Sequence, residues 1–259
     1  MKINYSVVSR GTEKYNNHGY MAICFDDING YLFNSDHNTA SPEVGNDTLV
    51  FKNEYTIENI STSRFALISR LLFERVELKD NILICGFGNI GFSLLLELLK
   101  KGYRNIYIYS RSIVNNINNI EIKYNVKINI VNNITDDFDT IIDTTGSSDV
   151  LENIFNTVKP MSSIVILSTP REENFTINPL MINRKNLSIY GGHEIFGIDL
   201  EFRKELYNRI LEENKDIEDL LKEYVSIHDY SEEEIINIKN KKSNFIDILK
   251  YQEEVWVNY

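Results

Sequence analysis

The sequence predicts an α/β fold, in which a doubly wound parallel sheet is accompanied by a smaller and mostly β domain. Two observations carry this prediction. Short apolar runs alternate with helical segments from about residue 80 onward, and the segments on either side of this part lack the alternation. Strands that alternate with helices pair in parallel through right-handed crossovers, so the regular part predicts one open sheet.

The regular part begins with residues 81–85, a short apolar run typical of a strand that is buried on both faces. A glycine-rich loop leads into a helix predicted over residues 92–102, which ends in two lysines and Gly102. A second strand is predicted over residues 105–109. The remaining apolar runs predict strands over 128–131, 140–143, 163–167 and 187–190, and a helix over 149–158.

The two flanks have a different pattern. Residues 1–55 hold several glycines between short β-prone pieces such as residues 19–25, which predicts a small β unit. Residues 62–76 have the apolar spacing of a helix that leads into the first buried strand. Toward the C-terminus, the pattern predicts helices over 199–213, 217–224 and 231–238 and a strand over 245–251.

The composition excludes several classes of protein. Of the 259 residues, 42% are hydrophobic and 25% are charged, which is enough apolar material for a packed core and argues against general disorder. The net charge of −11 argues against a nucleic-acid binder or a basic protein of membrane surfaces. No apolar run approaches the roughly 20 residues that span a bilayer, and the N-terminus has no signal core. We expect a soluble cytoplasmic protein, whose two cysteines form neither a disulfide scaffold nor a four-cysteine zinc site.

The loop after the first strand carries three glycines in the spacing GxGxxG. A strand precedes this motif and a helix follows it, which is the context of a dinucleotide-binding Rossmann loop. The first glycine allows a tight turn, the second lets the backbone approach a pyrophosphate, and the third lets the helix pack close to the strand. Free N–H groups at the helix N-terminus then bind the phosphates. The residues predicted to bind the cofactor here are Gly86, Gly88, Asn89, Ile90 and Gly91. The alternative is a glycine turn without a ligand.

The end of the second strand indicates which dinucleotide is bound. Proteins that bind NAD usually have an acidic residue there, which bonds the ribose hydroxyls. This chain has Ser110, Arg111 and Ser112 instead. A guanidinium offers a planar donor fork to a 2′-phosphate, which a carboxylate would repel, so the pattern favours NADPH (NADP) over NADH. Two alternatives stay open for Arg111: a solvated residue at a strand end, or stacking on the adenine.

Two further strand ends carry small polar residues. Thr144, Thr145 and Gly146 follow the strand at 140–143, and Ser168 and Thr169 follow the strand at 163–167. In such folds the ligand lies outside the carboxyl ends of the strands. We therefore predict that the first three residues line the cofactor groove and that the last two lie near the nicotinamide. Ordinary loop structure is the alternative at each position.

Taken in order, these segments resemble the medium-chain dehydrogenase/reductase superfamily, the relatives of zinc-type alcohol dehydrogenases. Residues 82–91 resemble the first strand and glycine loop of that family, and residues 138–146 resemble its fourth strand. Residues 8–13, Val-Ser-Arg-Gly-Thr-Glu, resemble a zinc-free branch that includes bacteriochlorophyllide dehydrogenase-like proteins. Residues 228–235 and 246–251 resemble the C-terminal return of the family into its small domain.

The resemblance implies two domains. A reduced GroES-like catalytic domain is expected from residues 1–75 and 225–259, and a Rossmann domain from residues 76–224. About 80 residues precede the glycine loop, which is fewer than is typical of the family. The active-site cleft is therefore unusually open, or a second subunit or a partner protein covers it. The family also implies a homodimer through the strand near 187–190, whose exposed edge needs a cover.

The chain departs from the zinc enzymes of the family at two metal ligands. Arg10 stands where those enzymes have a cysteine, and Tyr20 stands where they have a histidine. Neither side chain binds Zn²⁺ well, and the four-cysteine structural zinc lobe of the family has no counterpart in the sequence, so no metal is expected.

Candidate catalytic residues follow from the same resemblance. Hydride transfer is the chemistry of the cofactor, whereas the protein orients the reactants and handles a proton. Thr12 stands where zinc relatives keep a proton-relay hydroxyl, and Tyr20 could donate to an oxyanion. Tyr20 is alternatively a core residue. Glu13 is a third candidate, for which a salt bridge with Arg10 or Lys14 is favoured instead.

His193 follows the last predicted strand of the regular part, in a Gly-Gly-His-Glu segment. Because histidine titrates near neutrality, His193 is a candidate acid or base. A loop histidine bonded to Glu194 is the alternative. No pattern singles out His18, His37 or His228.

Two functions agree with these observations. The first is a metal-independent, NADPH-dependent oxidoreductase that transfers a hydride between the nicotinamide and a carbonyl/alcohol pair, or an activated C=C bond, of a small or specialised metabolite. The second is a non-catalytic NADP(H)-binding sensor or accessory subunit. The short small domain and the missing zinc ligands favour the second function. The intact glycine loop, residues 110–112 and the C-terminal return favour the first.

Overall fold

The computed structural model describes residues 3–13, 19–37, 47–111, 117–170, 176–194, 197–240 and 246–251. The chain divides into two compact units. The first unit combines Met1–Arg64 with Gly197–Tyr259, and the second unit is Phe65–Phe196.

The strands and helices occur in mixed order along the chain. The strands are β1 (Tyr5–Val8), β2 (Met21–Phe25), β3 (Asn29–Asn34), β4 (Leu49–Lys52), β5 (Ile82–Cys85), β6 (Ile106–Tyr109), β7 (Asn129–Val131), β8 (Thr140–Asp143), β9 (Ser163–Ile166), β10 (Ser188–Gly191), β11 (Val225–Asp229) and β12 (Ile246–Lys250). The helices are α1 (Arg10–Glu13), α2 (Ile57–Phe73), α3 (Asn89–Lys100), α4 (Asn118–Tyr124), α5 (Ser148–Thr157), α6 (Pro179–Lys185), α7 (Leu200–Asn214), α8 (Glu218–Lys222) and α9 (Glu232–Asn240).

In its described residues, the second unit holds a six-stranded sheet with the order β7-β6-β5-β8-β9-β10, and every neighbouring pair is parallel. Counted from β5, this is the order 3-2-1-4-5-6 of a doubly wound dinucleotide-binding sheet. The order reverses between β5 and β8, so the carboxyl ends of these two strands border the crevice where such folds bind ligands. The predicted α/β class and parallel sheet are confirmed.

The core of the second unit surrounds its central strands. All residues of β5 and β8 are buried, as expected of strands that are covered on both faces. Helix α3 packs against β5, and α5 packs against β8. Because every residue from Gly91 to Leu99 is buried, α3 is enclosed on nearly all sides.

One of the buried residues of α3 is a carboxylate. Glu97 has no exposed surface and forms ion pairs with Arg70 of α2 and with Lys100 of α3, whose ammonium lies 2.7 Å from the carboxylate. The side chains of Arg70 and Lys100 are themselves only 12% and 14% exposed. Two cations therefore compensate for the desolvation of one anion.

The first unit holds another sheet of six strands within its described part, in the order β11-β12-β1-β2-β3-β4. Strands β1 to β4 form antiparallel neighbours in succession. Strand β12 lies between β11 and β1, parallel to the former and antiparallel to the latter. Strands that precede the second unit in sequence and strands that follow it thus share one sheet.

The division into units differs from the predicted domain boundaries at α7 and α8. Both helices lie within residues 76–224, the predicted Rossmann domain, whereas in the structure they cluster with the first unit. The reason is the packing of α7 on β4, where the ring of Tyr207 meets that of Phe51 edge-on at 5.8 Å. The Tyr207 hydroxyl also donates to the carbonyl of Ile60 at 2.9 Å. The other boundary falls inside α2, so no loop in the sequence marks it.

Some helices differ from the sequence prediction. Helix α2 begins five residues earlier than predicted, because its first turns bury polar side chains such as Asn59, Ser61 and Ser63, which apolar periodicity does not reveal. The short helices α1, α4 and α6 have no counterpart in the prediction. Helix α6 buries none of its residues, so it has no apolar stripe to detect. None of the described helices has the length and apolar character that spanning a membrane requires.

Glu97→Ala is expected to lower the free energy of unfolding by about 3–5 kcal/mol, because it leaves the cations of Arg70 and Lys100 without their buried anion. Urea denaturation measures this loss. Lys222→Ala is the matched control, since Lys222 pairs with the fully exposed Asp219 and its removal should leave the unfolding midpoint unchanged. Equal losses in the two variants would contradict the role of the buried pair.

Candidate functional site

The glycine-rich loop leaves β5 where the strand order reverses. Gly86 has a φ of +96°, a conformation that residues with a Cβ rarely adopt. Its N–H donates to the carbonyl of Tyr109 at the end of β6, over 2.8 Å. A Cβ at position 86 would lie 2.8 Å from the hydroxyl oxygen of Thr144 and 2.7 Å from a methyl carbon of Thr145. The turn therefore fits closely between the ends of the two strands that flank β5.

The other two glycines of the loop have opposite surroundings. A Cβ at Gly91 would lie 2.3 Å from the carbonyl oxygen of Gly86, so only glycine lets the first turn of α3 press against the loop. At Gly88, by contrast, no atom of the described residues, apart from those of its own chain neighbours, lies within 4 Å of the position a Cβ would take. Intramolecular packing thus requires a glycine at 91, whereas the space beside Gly88 is open to a ligand.

The N-terminus of α3 faces this open space without a side-chain cap. Its N-cap residue is the exposed Gly88, and Asn89 and Ile90 of the first turn are partly exposed. The first N–H groups of a helix have no partner within the helix, and the helix dipole adds partial positive charge there. The arrangement therefore suits an anionic group such as a pyrophosphate.

A buried carboxylate organises the loop after β8. Asp143 has no exposed surface, and its Oδ1 accepts hydrogen bonds from the N–H and the hydroxyl of Thr145, over 2.9 and 2.6 Å. Its Oδ2 accepts from the N–H of Gly146 over 3.1 Å. The hydroxyl of Thr144 lies 3.0 Å from the carbonyl oxygens of both Cys85 and Gly86, to which it can donate. These bonds hold the three predicted groove residues beside the glycine loop.

The thiol at the end of β5 is inert in this environment. Cys85 has no exposed surface. Burial, with the neighbouring Asp143 carboxylate as a second cause, raises the pKa of Cys85 well above its usual range. The side chain therefore stays protonated and packs as a small apolar group.

The end of β6 presents a cation to solvent. Ser110 is partly exposed and Arg111 is exposed. The guanidinium of Arg111 forms no ion pair or hydrogen bond with another residue that the structure describes, so it can meet an anionic ligand. The third predicted residue of this segment, Ser112, lies outside the described residues.

The loop after β9 touches the loop after β8. A Cβ at Gly146 would lie 2.4 Å from the carbonyl oxygen of Thr169 and 3.1 Å from the hydroxyl oxygen of Ser168. The N–H groups of Leu167 and Ser168 donate to the carbonyl of Asp143, over 2.9 and 3.3 Å. The Ser168 hydroxyl oxygen is buried and has no hydrogen-bond partner within the described part of the chain, so a ligand could satisfy it.

The structure thus brings the predicted cofactor residues to one edge of the parallel sheet. Strands β6, β5, β8 and β9 are successive neighbours, and each contributes residues just past its carboxyl end. The predicted residues at this edge are Gly86, Gly88, Asn89, Ile90, Gly91, Ser110, Arg111, Thr144, Thr145, Gly146, Ser168 and Thr169. Their contact with a cofactor stays a prediction.

Thr12 and Tyr20 both lie close in sequence to the same end of two neighbouring strands of the first unit, the end of β1 and the start of β2. Thr12 belongs to α1, which follows β1, and the partly exposed Tyr20 directly precedes β2. Because β1 and β2 are antiparallel, with Val7 opposite Met21, the end of β1 and the start of β2 are adjacent. Both candidates therefore occur where these two strands meet α1.

Glu13 is a core residue with partners that the sequence did not reveal. It has no exposed surface, and its Oε2 lies 2.9 Å from Nε2 of His37 and 3.3 Å from the ammonium of Lys239. The side chain of Arg10 and residue Lys14, its expected partners, lie outside the described part.

His193 belongs to the second unit and follows the edge strand β10. Its side chain is exposed. The preceding Gly192 donates its N–H to the carbonyl of Ile166 at the end of β9, over 2.9 Å. This bond holds the segment beside the carboxyl end of β9, which Ser168 and Thr169 follow. The role of His193 as an acid or base stays a prediction. Among the described residues, no three His, Cys, Asp or Glu side chains cluster so that they could hold a metal ion.

Two residues that organise these sites, Asp143 and His37, are not among those predicted from the sequence. Asp143 ends the strand before the predicted groove residues. An aspartate directly before Thr-Thr-Gly is a sequence signal for a side chain that accepts hydrogen bonds from the next turn. His37 gives no such signal, because its partners Glu13 and Ser6 are 24 and 31 residues away.

Comparisons with known proteins find solved structures of the same fold. No protein-family model matches the sequence, and no curated protein matches it. Solved structures do match. TarJ of S. aureus, in complex with NADPH, has a TM-score of 0.64 at 14% identity over 97% of this chain and 90% of its own. Protein YhfP of Bacillus subtilis, with NAD bound, has a TM-score of 0.69 at 12% identity over 96% and 89%. The YhdH oxidoreductase of Salmonella enterica, in complex with NADP, has a TM-score of 0.65 at 12% identity over 97% and 90%.

These similarities establish the fold. The chain has the Rossmann-type α/β architecture of these proteins, which is the fold that the resemblance to medium-chain dehydrogenases/reductases implies. Membership of that superfamily, and of its zinc-free, truncated branch, stays a prediction.

Gly91→Ala is expected to lower the free energy of unfolding by about 2–3 kcal/mol, because its methyl group would collide with a backbone carbonyl that cannot move away. Gly88→Ala should cost about 1 kcal/mol or less, since its methyl group enters open space and only the N-cap preference is affected. Thermal unfolding of the two variants measures the difference. A larger loss for Gly88→Ala than for Gly91→Ala would contradict the described loop geometry.

Proposed function

We propose that the chain is an NADPH-dependent oxidoreductase that acts on a small or specialised metabolite. The observation that carries the proposal is the uncapped N-terminus of α3 beside the open space at Gly88, at the point where a doubly wound sheet binds dinucleotides. Structural neighbours that hold NADPH, NADP or NAD support it. We propose transfer of a hydride between the nicotinamide and a carbonyl/alcohol pair or an activated C=C bond.

The choice of NADPH over NADH rests on residue 111. Neighbours of the same fold hold either kind of cofactor, so the fold does not decide the preference. Arg111 is exposed and has no described partner, and it follows the strand whose end meets the adenosine ribose in such folds. A 2′-phosphate would satisfy its donor fork. Ser110 would add a hydroxyl donor beside it.

Proton handling falls to side chains of the protein. The cofactor, when bound, supplies or accepts the hydride. Reduction of a carbonyl adds that hydride to the carbon and a proton to the oxygen, so a donor must lie at the oxygen. We propose the hydroxyl groups of Thr12 and Tyr20 for this role, with His193 as a further acid or base.

The chemistry is proposed to proceed without a metal. The family resemblance implies that Arg10 and Tyr20 stand at the positions of zinc ligands, and the described part of the chain offers no cluster of metal-binding side chains. Hydrogen-bond donors would then polarise the carbonyl instead of a Lewis acid.

A homodimer in the cytoplasm is part of the proposal. Strand β10 is one of the two edge strands of the parallel sheet in its described part, and α6, which precedes it in sequence, buries no residue and leaves Leu180 half exposed. A second copy would cover this edge. The molar mass in solution tests the dimer.

Arg111→Ala is expected to weaken NADPH binding by about 10- to 100-fold, because a charge-assisted contact with the 2′-phosphate is lost. NADH lacks this phosphate, so its affinity should change by less than about twofold. Titration of reduced-cofactor fluorescence measures both dissociation constants. Equal weakening of the two cofactors would show that Arg111 does not bind the phosphate.

Tyr20→Phe tests the catalytic part of the proposal. A panel of aldehydes, ketones and enones is first screened for oxidation of NADPH by the unaltered protein. With a substrate from this screen, the variant should lose about 100-fold in turnover and keep its NADPH affinity, because only the proton donor is removed. NADPH binding without turnover of any compound would favour the non-catalytic sensor or accessory subunit. No binding of either cofactor would overturn the proposed function altogether.

A further inference from the structure

A buried chain of hydrogen bonds crosses the core of the first unit. It runs from Glu13 to His37, from His37 to Ser6 and from Ser6 to Tyr251, with distances of 2.9 Å at each step. The four residues are between 0% and 7% exposed. Bonds of this kind are strong in a dry interior, and they are costly when any member is left without its partner.

This chain of hydrogen bonds joins elements that are far apart in sequence. Ser6 lies on β1, Glu13 on α1, His37 in the segment after β3, and Tyr251 directly after β12. Lys239 of α9 adds a cation 3.3 Å from the Glu13 carboxylate. The ring of Tyr251 is stacked on that of Tyr230 at 4.4 Å. The histidine is therefore held from several sides.

The bonds define the roles of the two ring nitrogens of His37. The hydroxyl of Tyr251 lies 2.7 Å from the carbonyl oxygen of His37. A carbonyl oxygen can only accept, so the hydroxyl is the donor of this pair. Its oxygen is then left to accept from the hydroxyl of Ser6, so the oxygen of Ser6 accepts from Nδ1 of His37. Nδ1 therefore donates to Ser6, and Nε2 bonds the Glu13 carboxylate as the second donor of the ring, because a carboxylate oxygen can only accept.

This arrangement fixes the helix that carries Thr12. Glu13 is the last residue of α1, and its Oε1 accepts from the N–H of Ser9 over 2.8 Å, while its own N–H donates to the carbonyl of Ser9, also over 2.8 Å. The carboxylate therefore closes the single turn of α1 on one side and bonds His37 on the other. A four-residue helix has little stability of its own, so it depends on such bonds.

The backbone of His37 also supports the residue before Tyr20. Gly19 has a φ of +111°, and a Cβ there would lie 2.5 Å from the backbone nitrogen of His37. The chain thus enters β2 directly against the backbone of His37. One residue contacts both segments that carry the proposed proton donors.

We propose that His37 is a positioning residue, which holds α1 through Glu13 and the Gly19–Tyr20 segment through its backbone. The proposal rests on the proposed function for the roles of Thr12 and Tyr20, but its structural part can be tested independently. Removal of the imidazole should release α1 and leave the cofactor loops of the second unit unchanged.

His37→Gln is the test variant, because one amide cannot donate toward Ser6 and Glu13 from opposite ends. His228→Gln is the matched control: His228 is also in the first unit and also pairs with carboxylates, Glu234 at 3.0 Å and Asp247 at 3.1 Å. Hydrogen exchange at the Ser9 amide should accelerate by about tenfold or more in His37→Gln and stay within about twofold in the control. Unchanged exchange at Ser9 in His37→Gln would overturn the proposal.

A milder variant covers the case in which His37→Gln does not fold. Tyr251→Phe removes the hydroxyl that orders the chain and keeps the ring stacked on Tyr230. It should accelerate exchange at Ser9 by a smaller factor. In the unaltered protein, the nitrogen NMR signals of His37 should show a protonated Nδ1. An unprotonated Nδ1 would overturn the described order of bonds.

Cofactor binding separates this proposal from the proposed function. His37→Gln should bind NADPH with unchanged affinity and, with a substrate from the carbonyl and enone panel, lose about tenfold or more in kcat at an unchanged KM for NADPH. His228→Gln should retain its kcat. If the unaltered protein does not bind NADPH, the proposed function fails, while exchange at Ser9 still decides whether His37 positions α1. Rapid exchange with an unchanged kcat would overturn the catalytic consequence.

Discussion

The contact between Gly91 and the carbonyl of Gly86 is the constraint on which the candidate site depends. It allows the first turn of α3 to press against the loop that leaves β5, and any side chain at position 91 would push the helix away. The helix then presents its first N–H groups at the point where the strand order reverses. Thr144 packs against the same turn from the end of β8, and Arg111 follows the strand on the other side. One close approach of two backbones therefore sets the geometry of an entire edge of the sheet.

Three buried carboxylates, one in the first unit and two in the second, are each compensated in a different way. Glu97 is matched by two cations, Asp143 by N–H and hydroxyl donors of the next turn, and Glu13 by a histidine and a lysine. The paired cations allow Glu97 to be buried in the core, where it orders no candidate site residue. Directional donors make the other two carboxylates organisers of local shape, because each bond has a preferred distance and angle. The latter two hold the loops that carry the proposed site residues.

Charge at the site differs in sign from charge over the whole molecule. The chain carries a net charge of −11, which repels a dinucleotide phosphate at long range. Attraction must therefore come from short-range features, namely the uncapped N-terminus of α3 and the exposed guanidinium of Arg111. Salt screens the repulsion over about 10 Å, whereas contacts at the loop act at hydrogen-bond distance. Local donors can thus bind an anion within an acidic protein.

The sequence by itself determined the parallel sheet, the glycine loop and the residues at the strand ends, because apolar runs, glycine spacing and strand-end polarity are local in the chain. Tertiary structure decided which unit takes α7 and α8, since the aromatic contact between Tyr207 and Phe51 joins residues from opposite parts of the chain. It also decided the partners of Glu13. A carboxylate three residues from Arg10 and one from Lys14 suggests local pairing, yet the sheet brings His37 and Lys239 to it. Hydrogen bonds and ion pairs depend on distance in space, and that distance is set only when β1, β3 and β12 have assembled.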